Sequence, residues 1–302
     1  MSFYPSVAAA VTGIAENGCR CVACRFGLGT RHPARPRRYT CDTTDAQWEI
    51  LAPLLPWPIW LDGVGGHPEE HCRRDIVDAV FYLADNGCKW RNLPADFPPW
   101  KTVHAAFTRW WASGDVTAVH NDLRDLVRRA EGRDVDPTAA VIDSQSVRAA
   151  ETVGAQSRGW DAGKKVGGRK RHIIVDCLGL LLVVYVTAAS VQDRDAARTA
   201  LGRLRQIFDT ITLVWADGIY TGKLVAWAKT ALALTLEIVK RSDDVAGFVV
   251  LPRRWVVERT FSWISRRRRC VRDYERRPDH HEAMVTWSMI MLMSRRLARQ
   301  RK

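Results

Sequence analysis

Near residue 137 the chain changes its hydrophobic spacing, and that change constrains the fold more than any other feature. Before it, apolar residues recur every three or four positions; after it come short continuous apolar runs in TAAVIDSQSV, RKRHIIVDCLGLLLVVYVTAA and TITLVWADG. The first spacing keeps one face of a helix apolar, whereas the second suits a strand buried on both faces. RKRHIIVDCLGLLLVVYVTAA reads as two strands joined by a tight turn around residues 176–179. Helical VQDRDAARTALGRLRQIF and LVAWAKTALA then alternate with the strands TITLVWADG and LTLEIVKR, and RRWVVERTFSWISRRRR follows as another helix. Hairpin pairing followed by alternation predicts an α/β fold, a mixed sheet with flanking helices, preceded by an all-α domain.

In the helical part, TTDAQWEILAPLLP offers Thr44 as an N-cap with Gln47 three residues on, a capping box. HCRRDIVDAVFYLADNG places Ile76, Val77, Val80, Phe81 and Leu83 on one side and ends at Gly87, a helix-terminating residue. WKTVHAAFTRWWASG repeats Val103, Phe107 and Trp110 or Trp111, and DVTAVHNDLRDLVRRAEG makes a fourth helix. Lys101, Thr102, His104 and Arg109 on the exposed face of the third helix fit a helix-turn-helix-like DNA reader, although any helical module shows such a pattern. The expected organisation is a disordered or mis-assigned extension over 1–38, a helical DNA-binding domain over 39–132 and a sheet domain over 137–298.

Charge narrows the partner. Lys and Arg total 46 against 33 Asp and Glu, a net +13, and the excess is clustered, which points to a polyanion. The longest apolar run, residues 179–191, is too short to span a bilayer, so no membrane partner is expected. The first residues carry no Lys or Arg ahead of their apolar stretch, unlike a secretory signal, and the chain is read as cytoplasmic. RHPARPRR reads as a solvated arm. Cys41, Cys72, Cys88, Cys177 and Cys270 are scattered, as reduced thiols packed like small hydrophobes are. Cys19, Cys21 and Cys24 could join Cys41 in a metal site, but a second C-x2-C pair is missing, so these three are expected in the disordered extension.

The candidate chemistry lies in three acids. Two apolar strands end in an acid, VID at Asp143 and VWAD at Asp217. If those strands are parallel neighbours, ~4.8 Å apart, the carboxylates come close enough to share a cation. Hard oxygen ligands without Cys or His favour magnesium or manganese. RRWVVERTFSWISRRRR holds seven arginines and one acid, Glu258. On a helix Glu258 shares its face with Arg254, Ser262, Ser265 and Arg269, while Val256, Thr260 and Trp263 point away, toward the sheet. The expectation is a three-carboxylate site for two metals, with Arg254, Arg266 and Arg269 clamping phosphates. Singly, Asp143 and Asp217 could cap turns and Glu258 could pair with Arg254 or Arg259. The block GKKVGGRKRH adds Lys164, Lys165, Arg169, Lys170 and Arg171, read as phosphate contacts rather than as a solvated hairpin edge. Asp193 and Asp195 are read as helix N-terminal acids outside the site.

The segments VIDSQSV, DAGKKVGGRKRHIIVDCLGLLL, WADGIYTG, GFVVLPRRWVVERTFSWISRRRR, RDYE and HHEAM resemble bacterial insertion-sequence transposases of the DDE class, the group of insertion-sequence family five. DAQWEILAPLLP, GCKWRNLP and FPPWKTVHAAFTRWW resemble the helical domain that precedes the catalytic domain there. The wider superfamily's signature around the Glu is matched by Arg254, with Leu251 and Ser265 where it has Tyr and Lys. The resemblance implies an RNase H-like domain in which Asp143, Asp217 and Glu258 hold two Mg2+ or Mn2+ ions for strand cleavage and transfer. It implies double-stranded DNA as partner, as terminal inverted repeats and target, and a homodimer or higher oligomer in the synaptic complex. It also implies a bacterial protein, nucleoid-associated when bound. Two rival readings are an RNase H-like nuclease or resolvase that cuts without joining, and an inactive DNA-binding remnant or repressor.

Overall fold

Residues 19–63, 65–239 and 252–300 are described by the computed structural model, the last stretch with side chains from Trp255 onward. They fall into two units. One holds the chain up to Leu83, Cys88–Val119 and the residues from Ala298; the other holds Ala84–Gly87 and His120–Leu297.

In the first unit, the segment expected as a disordered extension is folded from Cys19 onward. A single turn, α1 (Val22–Phe26), and a 3-10 turn, Gly29–Arg31, lead to Arg35. Its guanidinium lies 2.7 Å from Asp42, 3.2 Å from Asp78 and 3.4 Å from Asp96, with its cationic carbon 4.2 Å from the Phe97 ring centroid. Composition suggested a solvated Pro and Arg arm, but these acids give Arg35 a buried charge partner on several sides. Burial still pushes the Asp78 carboxyl up to about 6, against the pull of the Thr43 amide and of Arg35.

The capping box forms as expected: the Thr44 hydroxyl accepts from the Gln47 amide at 3.1 Å and the Gln47 side chain accepts from the Thr44 amide at 3.1 Å, starting α2 (Asp45–Leu51). In α3 (Arg73–Asn86) the expected apolar residues are buried, and so is Asp78 on the same helix, accepting from the Thr43 amide at 2.8 Å. Gly87 follows with φ +70, the left-handed conformation that ends the helix. Helix α4 (Trp100–Ala112) buries Val103, Phe107 and Trp110, and α5 (Asp115–Ala130) completes the helical run.

The second unit holds a mixed sheet. Its strands are β1 (Ala139–Arg148), β2 (Gly159–Asp161), β3 (Val166–Asp176), β4 (Leu181–Ala188), β5 (Leu213–Ala216) and β6 (Thr235–Ile238). The main order is β4-β3-β1-β5-β6, with β3 antiparallel to β1 and β4 and the β1, β5, β6 run parallel; β2 pairs the start of β3. This is the RNase H-like arrangement. One face is covered by α6 (Asp193–Ile207) and α7 (Lys223–Leu232), whose Ala197, Leu201, Leu204 and Leu224 pack with Ala140, Ile142, Ile174 and Val214. The alternate face of β1 and β3 receives α8 (Pro252–Ser265) and the short α9 (Arg268–Val271). The last helix is α10 (Pro278–Gln300), whose Glu282 carboxylate accepts from the Val186 amide of β4 at 2.9 Å. Among the described residues, no helix is long and apolar enough to cross a membrane.

The predicted turn between β3 and β4 is organised by Asp176, whose carboxylate accepts from the Leu178 and Leu180 amides at 2.9 and 2.8 Å and pairs with Arg128. Gly179 there has φ +79, and a Cβ would lie 2.8 Å from the Thr260 hydroxyl. Gly179→Ala therefore meets both backbone strain and a steric clash, and is expected to lower unfolding free energy by at least about 1 kcal/mol in urea titration.

Candidate active site

Strands β1 and β5 are parallel neighbours, with Ala139 opposite Leu213, Ala140 opposite Val214 and Val141 opposite Trp215. Asp143 follows Val141 by two residues and Asp217 follows Trp215 by two; β1 continues to Arg148, so Asp143, expected at a strand end, lies mid-strand, while Asp217 lies just past β5. Asp143 is half-buried within β1, its Oδ1 accepting from the Ser144 amide at 2.7 Å. Asp217 is half-buried just past β5, where its Oδ1 accepts from the Ile219 amide at 3.0 Å and caps the 3-10 turn Gly218–Tyr220. The turn-capping role is thus present at Asp217, and it fixes the carboxylate's orientation.

The charges of this strand end register on Tyr220, which sequence reasoning passed over. Its phenol is driven well above its ordinary value, first by burial and then by Asp143, Asp193 and Asp217, so it stays neutral beside the acids. Nothing in WADGIYTG marks it as more than a core aromatic. The Lys164 ammonium donates to the Ser144 carbonyl at 3.1 Å and to its hydroxyl at 3.3 Å, bringing a cation to the residue next to Asp143. His172 is pushed down to about 4 by burial, opposed by Asp193, and is neutral at pH 7.

Glu258 comes from α8, which packs on β1, β3 and β5 through buried Val257, Thr260, Phe261 and Ile264. The predicted sheet-facing set was Val256, Thr260 and Trp263; only Thr260 is buried, with Val256 and Trp263 half-buried at the margin. The Thr260 hydroxyl donates to the Gly179 carbonyl at 2.7 Å, and Arg259 covers the Trp263 ring at 4.9 Å, which sets the helix's rotation. Glu258 is exposed, about 100° around the helix from Val257. Among the described residues the three acids are not drawn within 4.8 Å of one another; a group of cysteines is. The three acids are carried by two adjacent strands and by the helix packed on them.

The predicted phosphate-binding cations divide sharply. Lys164, Lys165 and Arg266 are exposed in this unit, as are Lys101 and Arg109 on α4. Arg169, Lys170, Arg171 and Arg269 are not available to DNA. Strand β3 runs between β1 and β4 with both faces covered, so residues that looked like a surface block are interior. Arg169 is fully buried, donating to Asp273 at 2.8 Å, the Glu275 carbonyl at 2.8 Å and the Arg276 carbonyl at 3.0 Å. Arg171 is also fully buried, donating to Gln145, to the Cys270 carbonyl at 2.7 Å and to the Ser265 hydroxyl at 3.2 Å. Lys170 turns to the other face, 3.4 Å from Asp161 and 3.2 Å from Asp193. Arg269 pairs with Glu275 at 2.7 Å. Asp193 does begin α6, as read from the sequence, and also answers Lys170. On α4, His104 sits edge-on to Trp90 with centroids 4.8 Å apart, and Thr102 is half-buried. The Arg254 side chain and Leu251 lie outside the described residues.

The chain matches a family model described as Transposase DDE domain over residues 135–294, more than half its length, and one described as Putative transposase of IS4/5 family over residues 43–120. It is similar to a Burkholderia cepacia protein named Putative transposase for insertion sequence element IS402, with 31% identity over 125 residues, 39% of this chain and 59% of the relative. The match thus spans under two thirds of that curated relative.

The buried pairs predict a separation of stability from surface charge. Burial alone would raise the Asp273 carboxyl, but His281, Arg169 and the Glu275 amide outweigh it and hold it below the usual range. A depressed folded value stabilises the protein above the ordinary Asp pKa, and that contribution is lost as pH falls through the folded value. Asp273→Asn leaves Arg169 buried without its charge partner and is expected to cost about 3–5 kcal/mol at pH 7 in chemical denaturation, with the deficit shrinking in acid. Lys165→Ala, at an exposed turn position, should change stability by less than about 0.5 kcal/mol.

Proposed function

The chain belongs to the transposase DDE-domain family, and from that premise we propose that it cuts DNA at the ends of an insertion sequence and joins those ends to target DNA. The observation that carries this reading is the placement of Asp143 on β1 and Asp217 just past its parallel neighbour β5, with Glu258 on the helix packed against both strands.

These residues fit divalent metal. They are carboxylates on two neighbouring strands of one sheet and on the helix packed against it, and Tyr220 and His172 of the same unit are held neutral, leaving the acids as the anionic ligands. Two magnesium or manganese ions bound there by Asp143, Asp217 and Glu258 would supply positive charge to the attacking and leaving oxygens of a phosphodiester. The protein's own residues do the rest. Amide hydrogen bonds at Asp143 and Asp217 fix both carboxylates before substrate arrives. Lys164, Lys165 and Arg266 bind backbone phosphates beside them. Hydrolysis at the element end frees a 3′ hydroxyl, and that hydroxyl attacks a target phosphodiester in a second in-line displacement at the same carboxylates.

The helical domain binds the terminal inverted repeats, with Lys101 and Arg109 on the exposed face of α4 toward the DNA. Bringing two ends together requires at least a dimer. These assignments rest on family membership and on which cations remain solvent-accessible.

A plasmid carrying the element ends provides the test, with purified protein and Mg2+ or Mn2+. Asp143→Asn, Asp217→Asn and Glu258→Gln are each expected to reduce cleavage and joining by more than about a hundredfold while leaving end binding near wild type. Full joining by any of the three rejects its place in the site; wild-type cleavage without joining selects a nuclease, and binding alone selects a repressor. Separately, Lys165→Ala and Arg266→Ala should each reduce the slope of log affinity against log salt by about 1 if each loses one phosphate contact.

A further inference from the structure

The helical unit holds a group of side chains that the proposed reaction does not use. The sulfurs of Cys19, Cys21, Cys24 and Cys72 all lie within 4.8 Å of one another. Cys19 and Cys72 are 3.5 Å apart and Cys21 and Cys72 3.8 Å. None of the eight cysteines forms a disulfide, which would require sulfurs about 2.05 Å apart. A zinc ion with four thiolates at about 2.3 Å gives a tetrahedron whose sulfurs are about 3.8 Å apart. These two separations approach that edge, and sulfurs this near leave room for one ion, not for an iron–sulfur cluster with its own sulfides.

We propose that Cys19, Cys21, Cys24 and Cys72 form a structural zinc site that fastens the N-terminal segment to the start of α3.

The backbone is shaped for it. The Cys21 amide donates to the Cys19 sulfur at 3.4 Å, a contact that stabilises a thiolate. The Cys21 carbonyl accepts from the Cys24 and Arg25 amides, each at 3.1 Å, closing the single turn that brings Cys24 back beside Cys21. Cys72 immediately precedes the 14-residue α3, and its carbonyl accepts from the Ile76 amide at 3.2 Å, so the fourth sulfur sits at a helix start, where negative charge is favoured. The two chain segments are also pressed together. The Leu28 amide donates to the Glu69 carbonyl at 2.8 Å, and a Cβ on Gly27 would come within 2.7 Å of that same oxygen. Four thiolates on Zn2+ leave a net charge of about −2, and the cleft beside Cys19 and Cys72 is lined by Arg35 and Arg74 together with Asp75.

In the sequence only Cys41 offered itself as a fourth ligand, and the missing second pair argued against a metal; in the structure Cys72, not Cys41, joins the group. Cys41 is buried but outside the group. With Cys72 the ligands are one knuckle, C-x-C-x2-C, plus a single thiol from a distant element, which explains why no second pair was visible. A short segment with few apolar residues gains from such a staple what it cannot gain from a core.

Metal content of the full-length chain, purified without chelator, tests the proposal directly. One zinc per chain is expected by mass spectrometry, released when a mercurial reagent caps the thiols. Cobalt substitution should give the intense sulfur-to-cobalt charge-transfer bands and visible bands of a tetrahedral thiolate site. Cys24→Ser and Cys72→Ser should each lose most of the zinc, while Cys41→Ser and Cys88→Ser keep it. Chelation should increase tryptic cleavage after Arg31, Arg37 and Arg38 several-fold. Wild-type protein that contains less than a tenth of an equivalent of zinc, and takes up neither zinc nor cobalt, overturns the site even if the serine variants fail to fold. Full zinc retention by Cys72→Ser, or iron in place of zinc, also overturns it.

Discussion

The second unit is organised around buried guanidinium groups on β3. Arg169 and Arg171 point to one face of the strand and bind carbonyls and acids between Ser265 and Arg276. A guanidinium has five donors in a rigid plane, and burying it obliges the surrounding chain to supply acceptors at fixed positions. The backbone that supplies them includes α9 and the stretch after it, which follow directly from α8. The helix carrying Glu258 is therefore anchored at its C-terminal end by polar bonds to the sheet, while Val257, Phe261 and Ile264 hold it by apolar packing. Ser265, where the wider signature has Lys, fits this arrangement: its hydroxyl accepts from Arg171.

Much of this architecture was legible from local sequence. The Thr44 and Gln47 capping box, the helix stop at Gly87, the turn at residues 176–179 and Asp217 just past β5 rest on short-range rules of capping, chirality and strand period, whereas Asp143, read as a strand end, lies in the middle of β1. Those rules act within a few residues, so no tertiary information was needed. The buried cations were misread for the opposite reason. GKKVGGRKRH is polar enough to look like a surface, and only the covering of both faces of β3 makes Arg169, Lys170 and Arg171 interior. Cys72 was illegible in the same way, because its partners precede it by some fifty residues and only folding brings the sulfurs together. The facing of α8 was half legible: Thr260 is buried with its hydroxyl on the Gly179 carbonyl and the Trp263 ring lies beside Gly179, but Val257, Phe261 and Ile264, not Val256, share the buried face with Thr260.

The same contrast separates two kinds of charge in a strongly basic chain. Net charge implies attraction to a polyanion, yet part of the excess is consumed internally. Arg35, Arg128, Arg169 and Arg269 each face a buried carboxylate. Lys164, Lys165 and Arg266 remain at the surface of the sheet unit, so the electrostatic field that reaches solvent there comes from fewer residues than the sequence suggests.

The Glu282 carboxylate on the β4 edge has a consequence for assembly. A strand at the rim of a sheet offers outward amides to any incoming chain, and pairing of two such rims is an easy route to unwanted association. Glu282 occupies the Val186 amide, and α10 stands behind it. A strand approaching β4 would have to displace this carboxylate before it could pair with Val186, so that stretch of the rim is closed to sheet extension.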